Sequence, residues 1–461
     1  RQLADTVSGG GRSSPALRVA RALCNWKCTM GGCLTQSRTA SGQGSNDRDR
    51  MRLTVGGPGT IAPGGSSAST GEAGDDDGDR GFMKQISSEE LLHIISDVLD
   101  VHGDGEDGLK STKSSMVSRT DQDGEKRDSF ASKTVQQLGE PMDPSKSGIG
   151  FACRKGMKPE HPNQDSWMVV QVEGAFSVYA VFDGHGLNGH HISDYVKDIL
   201  PKILLQDPRF KTNEIKRALE DSFSRMQTLI VQATKAGRLD AERSGTTATV
   251  VVHDHVQSKI TVAHVGDSLA CLARLQRKGT GRDLLAVPLT QDHRPEEKRE
   301  RTRIEKAGGC VSFDGCSKHR VYVKDQPYPG LNMSRCLGDL LGHREAGLSC
   351  QPDISQHQLK QEDLLLLICS DGVWEFVSPE EAVGCYREAI PAVHGAAFRG
   401  SSRFNHWNRA TPPSAMGLSE RLARMSWDRW LKEVKTSVDD ITVVAVLLQE
   451  STRTSTSSAT A

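Results

Sequence analysis

Five features that would point to familiar protein classes are missing from this 461-residue sequence. No apolar run approaches the roughly 20 residues that a membrane-spanning helix needs. The eleven cysteines include no Cys-x-x-Cys pair, which favours reduced thiols in an intracellular protein over a disulfide framework. The 58 Lys and Arg nearly balance the 59 Asp and Glu, so bulk charge predicts no nucleic-acid partner. Signatures of a nucleotide-binding P-loop and of a Cys nucleophile are also missing.

The composition divides the chain into segments. Residues 1–145 are rich in Gly, Ser, Asp and Arg and are predicted to be largely disordered, whereas residues 146–450 carry the apolar strand and helix patterns of one domain. Residues 451–461 are predicted to be a disordered tail. Within the first segment, a capping box and a run of apolar residues predict a short helix at about 87–101 that docks on the domain or on a partner. Residues 102–145 are predicted to be a polar linker.

A lipidation pattern lies near the start of the chain. The run Met30-Gly31-Gly32-Cys33-Leu34-Thr35 matches the N-myristoylation pattern, and Cys33 would offer a palmitoylation site beside it. The chain begins with Arg1, so acylation of Gly31 requires translation from Met30, which we expect to be the start. Two lipids are what stable anchoring usually requires. We therefore expect an intracellular, cytoplasmic protein that N-terminal acylation attaches to a membrane, with a chance match as the alternative.

The stretch Ser177–Gly186 ends in Asp183-Gly184-His185-Gly186. Its first six residues are apolar or β-favouring, which predicts a largely buried strand. Glycine allows a sharp turn and the close approach of a ligand to the backbone. Asp183 and the carbonyl of Gly184 can therefore present two hard oxygens to one cation, with the imidazole of His185 nearby. Asp-Gly after a strand is also a common turn signal, so this stretch alone leaves both interpretations open.

Acidic residues recur at the ends of predicted strands. They are Asp165, Asp183, Asp267, Asp371 and Asp439, with Glu375 just beyond. Carboxylates brought together without compensation repel one another, and divalent cations remove that penalty. Oxygen ligands without a Cys/His cluster favour Mg²⁺ or Mn²⁺ over zinc. A pair of such ions can lower the pKa of a shared water and orient a phosphate, so the predicted chemistry is phosphate-ester hydrolysis.

Seven motifs follow one another in order along the chain. They are Asn163–Asp165, Val181–Gly186, Ser244–Thr249, Val265–Ser268, Ser334–Asp339, Ser370–Glu375 and Asp439–Thr442. Over about residues 148–449 this set resembles the metal-dependent serine/threonine protein phosphatases, the protein phosphatase 2C (PPM) family. The resemblance implies an α+β fold, a four-layer sandwich of two antiparallel β-sheets flanked by pairs of α-helices, with metals in a cleft at one edge.

The resemblance also implies a centre of two Mg²⁺ or Mn²⁺ ions, or three. The implied ligands are Asp183, Gly184, Asp165, Asp371 and Asp439, with Asp267 and Glu375 at the third-metal positions. Asp183 would bridge both metals, and Asp165 would act through metal-bound water. Glu375 replaces the commoner Asp. His185 resembles the proposed general acid, for which an imidazole pKa of about 6.5 is suitable; orienting a neighbouring group is its alternative role.

Three departures from the family pattern stand out. The usual phosphate-binding Arg aligns near Glu160, so either Arg154 or Lys158 must substitute, or the metals alone hold the phosphate. Gln164 stands where many relatives have Glu. The segment 386–417 has no counterpart, so it is either an insert or a translated intron.

The function implied by the resemblance is Mg²⁺- or Mn²⁺-dependent hydrolysis of phosphoserine and phosphothreonine in proteins. A metal-bridging hydroxide would attack phosphorus, and His185 would protonate the departing oxygen. Phosphorylated proteins would be the partners, and we expect a monomer. One alternative is a catalytically inactive pseudophosphatase that binds phosphoproteins, and another is a metal-dependent phosphodiesterase. The intact set of acidic ligands argues against the pseudophosphatase.

Overall fold

The structure is a computed structural model that describes Glu90, residues 93–95, 98, 114–120, 134–139, 142–143, 147–158, 162–278, 281–315, 318–389 and 414–448. Several sequence-based predictions lie outside these residues. They are the lipidation motif with Met30, Gly31 and Cys33, the alignment at Glu160, most of the insert at 386–417, and the tail at 451–461. Among the described residues, no helix has both the length and the hydropathy to cross a bilayer.

Seventeen strands are described. In chain order they are β1 (Ser114–Thr120), β2 (Thr134–Gly139), β3 (Ile149–Arg154), β4 (Asp165–Val172), β5 (Phe176–His185), β6 (Gly245–Thr246), β7 (Ala248–Asp254), β8 (Lys259–Val265), β9 (Leu269–Lys278), β10 (Gly281–Pro288), β11 (Gly309–Phe313), β12 (His319–Val323), β13 (Pro329–Leu331), β14 (Leu337–Gly338), β15 (Asp353–Gln358), β16 (Asp363–Cys369) and β17 (Ile441–Leu447). The helices between them are α1 (Gly189–Gln206), α2 (Pro208–Lys211), α3 (Ile215–Lys235), α4 (Lys298–Lys306), α5 (Leu340–Glu345), α6 (Asp371–Trp374), α7 (Pro379–Ala389) and α8 (Ala415–Glu433).

The strands form two large antiparallel sheets and a small one. The first sheet has the order β15-β8-β7-β5-β4-β1-β2. The short strand β6 pairs with the last residues of β5, and β14 pairs with β6. The second has the order β10-β9-β16-β17-β3, and the small sheet has the order β11-β12-β13. Every named strand pair is antiparallel, as β4 with β5 and β16 with β17.

Alternation of side chains along β5 explains why this strand is apolar throughout. Tyr179 and Val181 pack between the two large sheets, together with residues of the second sheet such as Val444. Val178 and Ala180 point the other way and pack against helices. Because successive side chains of a strand point to opposite faces, a strand covered on both faces must be apolar at every position.

Helices cover the outer face of each sheet. α1 and α3 supply apolar residues to the core on the first sheet, and α7 and α8 do so on the second. The layers are therefore helix, sheet, sheet and helix, which confirms the predicted α+β sandwich. Trp430 of α8 stacks edge-on to Phe376 at a ring distance of 4.7 Å, and its indole donates to Gly372 O at 2.7 Å.

The predicted polar linker at 102–145 is wrong for two segments. β1 pairs with both β2 and β4, so the hairpin extends the first sheet at its edge. Backbone pairing holds these strands, and Met116 of β1 is buried. Neither strand shows an alternation of apolar and polar residues, and β2 lies at the edge of the sheet, so their sequences resemble a linker.

The described residues of the predicted N-terminal helix are helical and dock on the domain. Ile94, Ile95 and Val98 are each 3% exposed and belong to the core between α1, α3 and the first sheet. The carboxylate of Glu90 lies 3.0 Å from the buried ammonium of Lys202 on α1. Contact with the domain itself, rather than with a partner, is therefore what the structure shows for this helix.

Candidate active site

Strand pairing in the first sheet brings two carboxylates together. Asp165 begins β4 and Asp183 lies near the end of β5, and the two are register partners. The turn after Asp183 is tightly packed, because a Cβ on Gly184 would lie 2.4 Å from the carbonyl oxygen of Gly189. The Gly184 amide donates to Gln164 O at 3.1 Å. Glycine is thus required at this position.

The second sheet repeats this arrangement. The end of β16 pairs with the start of β17, Cys369 opposite Val443. Asp371 follows β16 and Asp439 precedes β17, so both carboxylates lie at the same edge. A hydrogen bond joins the two sheets there, because Ser370 Oγ donates to Asp165 Oδ2 at 2.8 Å.

The acidic side chains perturb one another. Burial raises the pKa of Asp183 well above its usual value, and the charges of Asp165, Asp371, Asp439 and Asp267 add to this. Burial, followed by the charge of Asp440, raises the pKa of Asp165 to about 6. Negative charge is concentrated here without enough positive charge to offset it.

The donors in this cluster fit a hard divalent cation. Asp165 Oδ1 and Asp267 Oδ1 are buried and have no hydrogen-bond partner among the described residues. Buried carboxylate oxygens ordinarily have a hydrogen-bond partner or a metal. The converging groups are carboxylates, which Mg²⁺ and Mn²⁺ prefer. Asp165, Asp183, Asp371 and Asp439 are therefore the residues that would hold such ions, with the Gly184 carbonyl at the same turn.

The two candidate phosphate-binding residues lie in different places. Lys158 forms an ion pair with Asp439 inside the site. Burial lowers the pKa of Lys158, but the charges of Asp439 and Asp440 outweigh this effect and raise the pKa above its usual value. The ammonium therefore stays charged. The Arg154 guanidinium instead lies 3.7 Å from the ring centroid of Trp427 on α8. The structure therefore brings Lys158, and not Arg154, to the carboxylates.

A second lysine, Lys318, lies in the site directly before β12, and the sequence analysis did not single it out. Lys318 Nζ lies 3.2 Å from Glu375 Oε2, and the two side chains are 9% and 11% exposed. Burial lowers the pKa of Lys318, but Glu375, Asp371 and Asp267 raise it above its usual value. The ammonium thus lies among the residues predicted to hold a third metal. A lone Lys in a polar stretch carries no sequence signal for this role.

An open cleft lies on this side of the carboxylates. Asp267, Asp371, Glu375 and Lys318 line it, together with Arg294. Asn332 Nδ2 donates to Asp267 Oδ2 at 3.3 Å. The cleft therefore opens onto the acidic cluster beside two cationic side chains.

His185 is held by Asp339, whose role the sequence analysis left unassigned. His185 Nε2 and Asp339 Oδ2 are 2.5 Å apart, and the Asp339 side chain is 3% exposed. Burial lowers the pKa of His185, but the charge and hydrogen bond of Asp339 raise it above 6.5 overall. A Cβ on Gly245 would lie 2.1 Å from Asp339 Oδ2. Gly245, in the Ser244–Thr249 motif, therefore leaves room for this carboxylate.

The side chain of Asp440 binds the backbone beside Lys158 and at Gln164. Its carboxylate accepts from the amides of Gly156 at 2.6 Å and Gln164 at 2.7 Å. The Gln164 side-chain amide donates to Gly186 O at 2.7 Å. An ionised Glu at position 164 could not make that bond, because it has no hydrogen to donate. Gln164 thus ties the first motif to the turn that carries His185.

A buried ion network holds the segment before Asp339. Arg335 donates to Glu300 Oε1 at 2.6 Å and to Asp353 Oδ1 at 2.8 Å. Arg303 and Ser334 also donate to Glu300, each at 2.5 Å. The network joins α4, the Ser334–Asp339 motif and β15, so it fixes the segment that presents Asp339 to His185.

Three kinds of comparison with known proteins match this chain to the same family. A family model described as "Protein phosphatase 2C" matches residues 150–399. "Probable protein phosphatase 2C 72" of Arabidopsis thaliana is 30% identical over 299 residues, 62% of this chain and 82% of that protein. "Probable protein phosphatase 2C 48" of Oryza sativa subsp. japonica is 31% identical over 332 residues, 65% of this chain and 86% of that protein. The solved serine-threonine phosphatase 2C from Toxoplasma gondii shares the fold, with a TM-score of 0.51 at 20% identity, over 65% of this chain and 94% of that chain.

Proposed function

Because this chain belongs to the protein phosphatase 2C family, we propose that it hydrolyses phosphoserine and phosphothreonine in proteins with Mg²⁺ or Mn²⁺. The observation that carries the proposal is the convergence of Asp165, Asp183 and Asp371 beside Asp439, with a buried carboxylate oxygen of Asp165 left unpartnered among the described residues. A pseudophosphatase would be expected to have lost some of these ligands. The proposed substrates are therefore phosphoproteins that this chain cleaves.

The carboxylates have a binding role in this reaction. Asp183 lies within the cluster, and the charges of four other Asp residues add to the effect of burial in raising its pKa. Asp183, Asp371 and Asp439 would hold the ions, and Asp165 would support them from the neighbouring strand. When bound, the divalent ions would supply Lewis-acid activation of water and offset the charge of the phosphate.

The cationic side chains would bind the phosphate of the substrate. Lys158 lies against Asp439, so its ammonium can pass from that carboxylate to a phosphate oxygen as substrate arrives. Arg294 and Lys318 line the cleft on the other side. A phosphate held between them would be oriented before the reaction, which lowers the entropic part of the barrier.

His185 supplies the proton for the departing serine or threonine oxygen. Its Nε2 lies 2.5 Å from Asp339 Oδ2, and this carboxylate raises its pKa, which favours the protonated imidazole. The Asp339 carboxylate stabilises the imidazolium and fixes the orientation of the ring. His185 is the proposed catalytic residue, and Asp339 is a positioning residue.

We further propose that the ammonium of Lys318 takes the place of a third ion. It lies 3.2 Å from Glu375 and is influenced by the charges of Asp371 and Asp267. Glu is longer than Asp by one methylene, which lets this carboxylate meet the lysine. The centre would then bind two divalent ions, and Glu375 would pair with Lys318 instead of a metal.

The deciding experiment measures Mn²⁺-dependent phosphate release from a phosphothreonine peptide. Wild-type protein should turn over, and Asp183→Asn should lose at least a hundredfold in kcat while remaining folded. Asp325→Asn is the matched control, because Asp325 is exposed and has a positive φ that Asn also tolerates. Phosphopeptide and Mn²⁺ binding by wild type without turnover would overturn the proposal in favour of a pseudophosphatase.

A further inference from the structure

A second group of possible metal ligands lies behind the catalytic histidine. One ligand atom each of His185, Cys336 and Asp339 lies within 4.8 Å of the other two. The group combines an imidazole nitrogen, a thiol sulfur and a carboxylate oxygen, whereas the metal cluster described above contains oxygen donors alone. Zinc is bound by nitrogen and sulfur ligands, while Mg²⁺ and Mn²⁺ prefer oxygen. The two groups therefore select different metals.

The three residues come from well-fixed parts of the fold. His185 ends β5, Cys336 precedes β14, and Asp339 follows β14. The Cys336 amide donates to Ser349 O at 3.1 Å, and its side chain is fully buried. Asp339 adopts a left-handed backbone conformation with φ of 44°. The backbone thus holds the three side chains around one point.

The spacing suits a tetrahedral zinc ion after small side-chain rotations. Zn–N bonds of about 2.0 Å and Zn–S bonds of about 2.3 Å place neighbouring ligand atoms about 3.5 Å apart. The present separations are 2.5 Å between His185 and Asp339 and below 4.8 Å for the other pairs. His343 Nε2 lies 3.9 Å from Cys336 Sγ but is hydrogen-bonded to the Cys336 carbonyl oxygen at 3.2 Å, so the fourth position is left to a water molecule.

We propose that His185, Cys336 and Asp339 form an inhibitory zinc site. Zn²⁺ would replace the proton shared by His185 and Asp339 and would displace the thiol proton of Cys336, so two protons leave as one ion binds. Nδ1 of His185 would keep its hydrogen, but a zinc-bound neutral imidazole is a much weaker acid than an imidazolium, so His185 would no longer protonate the leaving oxygen. The inhibitory effect rests on the proposed phosphatase function, but binding of the metal does not.

Co²⁺ reports on binding at this site directly, because a cobalt–thiolate bond gives a charge-transfer absorption in the near ultraviolet. Full-length protein saturated with Mg²⁺ is titrated with Co²⁺. Wild type and Cys310→Ala should show the band, Cys336→Ala should lack it, and Zn²⁺ should abolish it in wild type. Cys310 is a partly buried free thiol on β11 and serves as the control. No band in wild type, or an equal band in Cys336→Ala, would overturn the site.

A second arm measures inhibition. With Mn²⁺ in excess, the rate of each variant without Zn²⁺ is its own reference, and the half-inhibiting Zn²⁺ concentration of Cys336→Ala should be at least tenfold higher than that of wild type. Cys336→Ser, of nearly the same volume, checks that any change in rate does not come from a packing defect. Equal inhibition of wild type and Cys336→Ala would refute the inhibitory role. If the protein has no phosphatase activity, the cobalt band still decides whether the site exists.

Discussion

His185 and Asp339 are 154 positions apart in the sequence, and their side chains meet at 2.5 Å. The pair forms where the end of β5 passes β6 and β14, the short strands of the first sheet. Because Asp339 is buried and Gly245 leaves space for its carboxylate, the imidazole is held in one orientation. This relationship leads to the first prediction.

Asp339→Asn should slow the cleavage of alkyl phosphates far more than that of aryl phosphates. An alkoxide leaving group needs a proton from His185, whereas a nitrophenolate leaves without one. We expect kcat on a phosphothreonine peptide to fall roughly 10- to 100-fold and kcat on p-nitrophenyl phosphate to change little. Steady-state kinetics on both substrates check this, with His185→Ala as the reference. An equal loss on both would assign Asp339 a purely structural role.

Removing one carboxylate should stabilise the metal-free protein. Asp183 is partly exposed and lies among four other Asp residues, and desolvation, followed by the charges of these residues, raises its pKa well above the usual value. Asp183→Asn removes part of that repulsion, so we expect the metal-free midpoint of thermal unfolding to rise by roughly 2 °C or more. The increase that Mn²⁺ gives wild type should disappear. Differential scanning calorimetry with and without Mn²⁺ measures both, and a lower midpoint in the metal-free variant would contradict the repulsion argument.

Lys318→Met should change the number of bound metals. The ammonium neutralises Glu375 and lies beside Asp371 and Asp267. Without it, the same carboxylates should accept one more Mn²⁺, and titration calorimetry should show the stoichiometry rising from two to three. Lys324→Met, at an exposed position of the neighbouring turn, should leave the count unchanged. An unchanged count in Lys318→Met would mean that Lys318 does not substitute for an ion.

Glu300 should make the fold more stable above pH 5 than near pH 2. Burial raises the pKa of Glu300, but hydrogen bonds from Arg335, Ser334 and Arg303 lower it to about 2 from 4.5. A lowered pKa gives stability that is complete above the unfolded value of 4.5 and is lost as pH falls toward 2. Glu300→Gln should therefore lower the free energy of unfolding by about 2–4 kcal/mol at pH 7 and weaken its dependence on pH between 5 and 2.

Urea unfolding at a series of pH values tests the role of Glu300. Glu305→Gln is the control, because Glu305 lies on the same helix, is 53% exposed and pairs with Arg301 across one turn. Its effect should stay within about 0.5 kcal/mol. Identical pH profiles for wild type and Glu300→Gln would show that the network contributes nothing to acid stability.

The N-terminal helix should stabilise the domain. Ile95 is 3% exposed in the core that α1 and α3 share with the first sheet. Ile95→Ala should lower the free energy of unfolding by about 2–5 kcal/mol, because it leaves a cavity. His93→Ala changes an exposed position of the same helix and should cost much less. Urea unfolding gives both values, and equal small effects would mean that the helix does not dock in solution.

The sequence by itself determined the long apolar strands and the acidic residues at their ends. A strand buried on both faces must be apolar throughout, so β5 and β16 could be recognised from the sequence. Their ends carry Asp183 and Asp371 within a few residues of the strand, where spacing along the chain is enough to place them. Asp439 could be recognised in the same way before β17, although the family model's match ends at residue 399.

Only the tertiary structure decided which distant side chains meet those carboxylates. Arg154 turns to Trp427, Lys318 reaches Glu375, and Cys336 and Asp339 gather behind His185. The sequence contains no Cys/His cluster by spacing, and the mixed donor group forms because loops from separate strands pack at one sheet edge. The physical reason is range: periodicity and turn chemistry act over a few residues, whereas contacts between loops depend on how the whole sandwich packs.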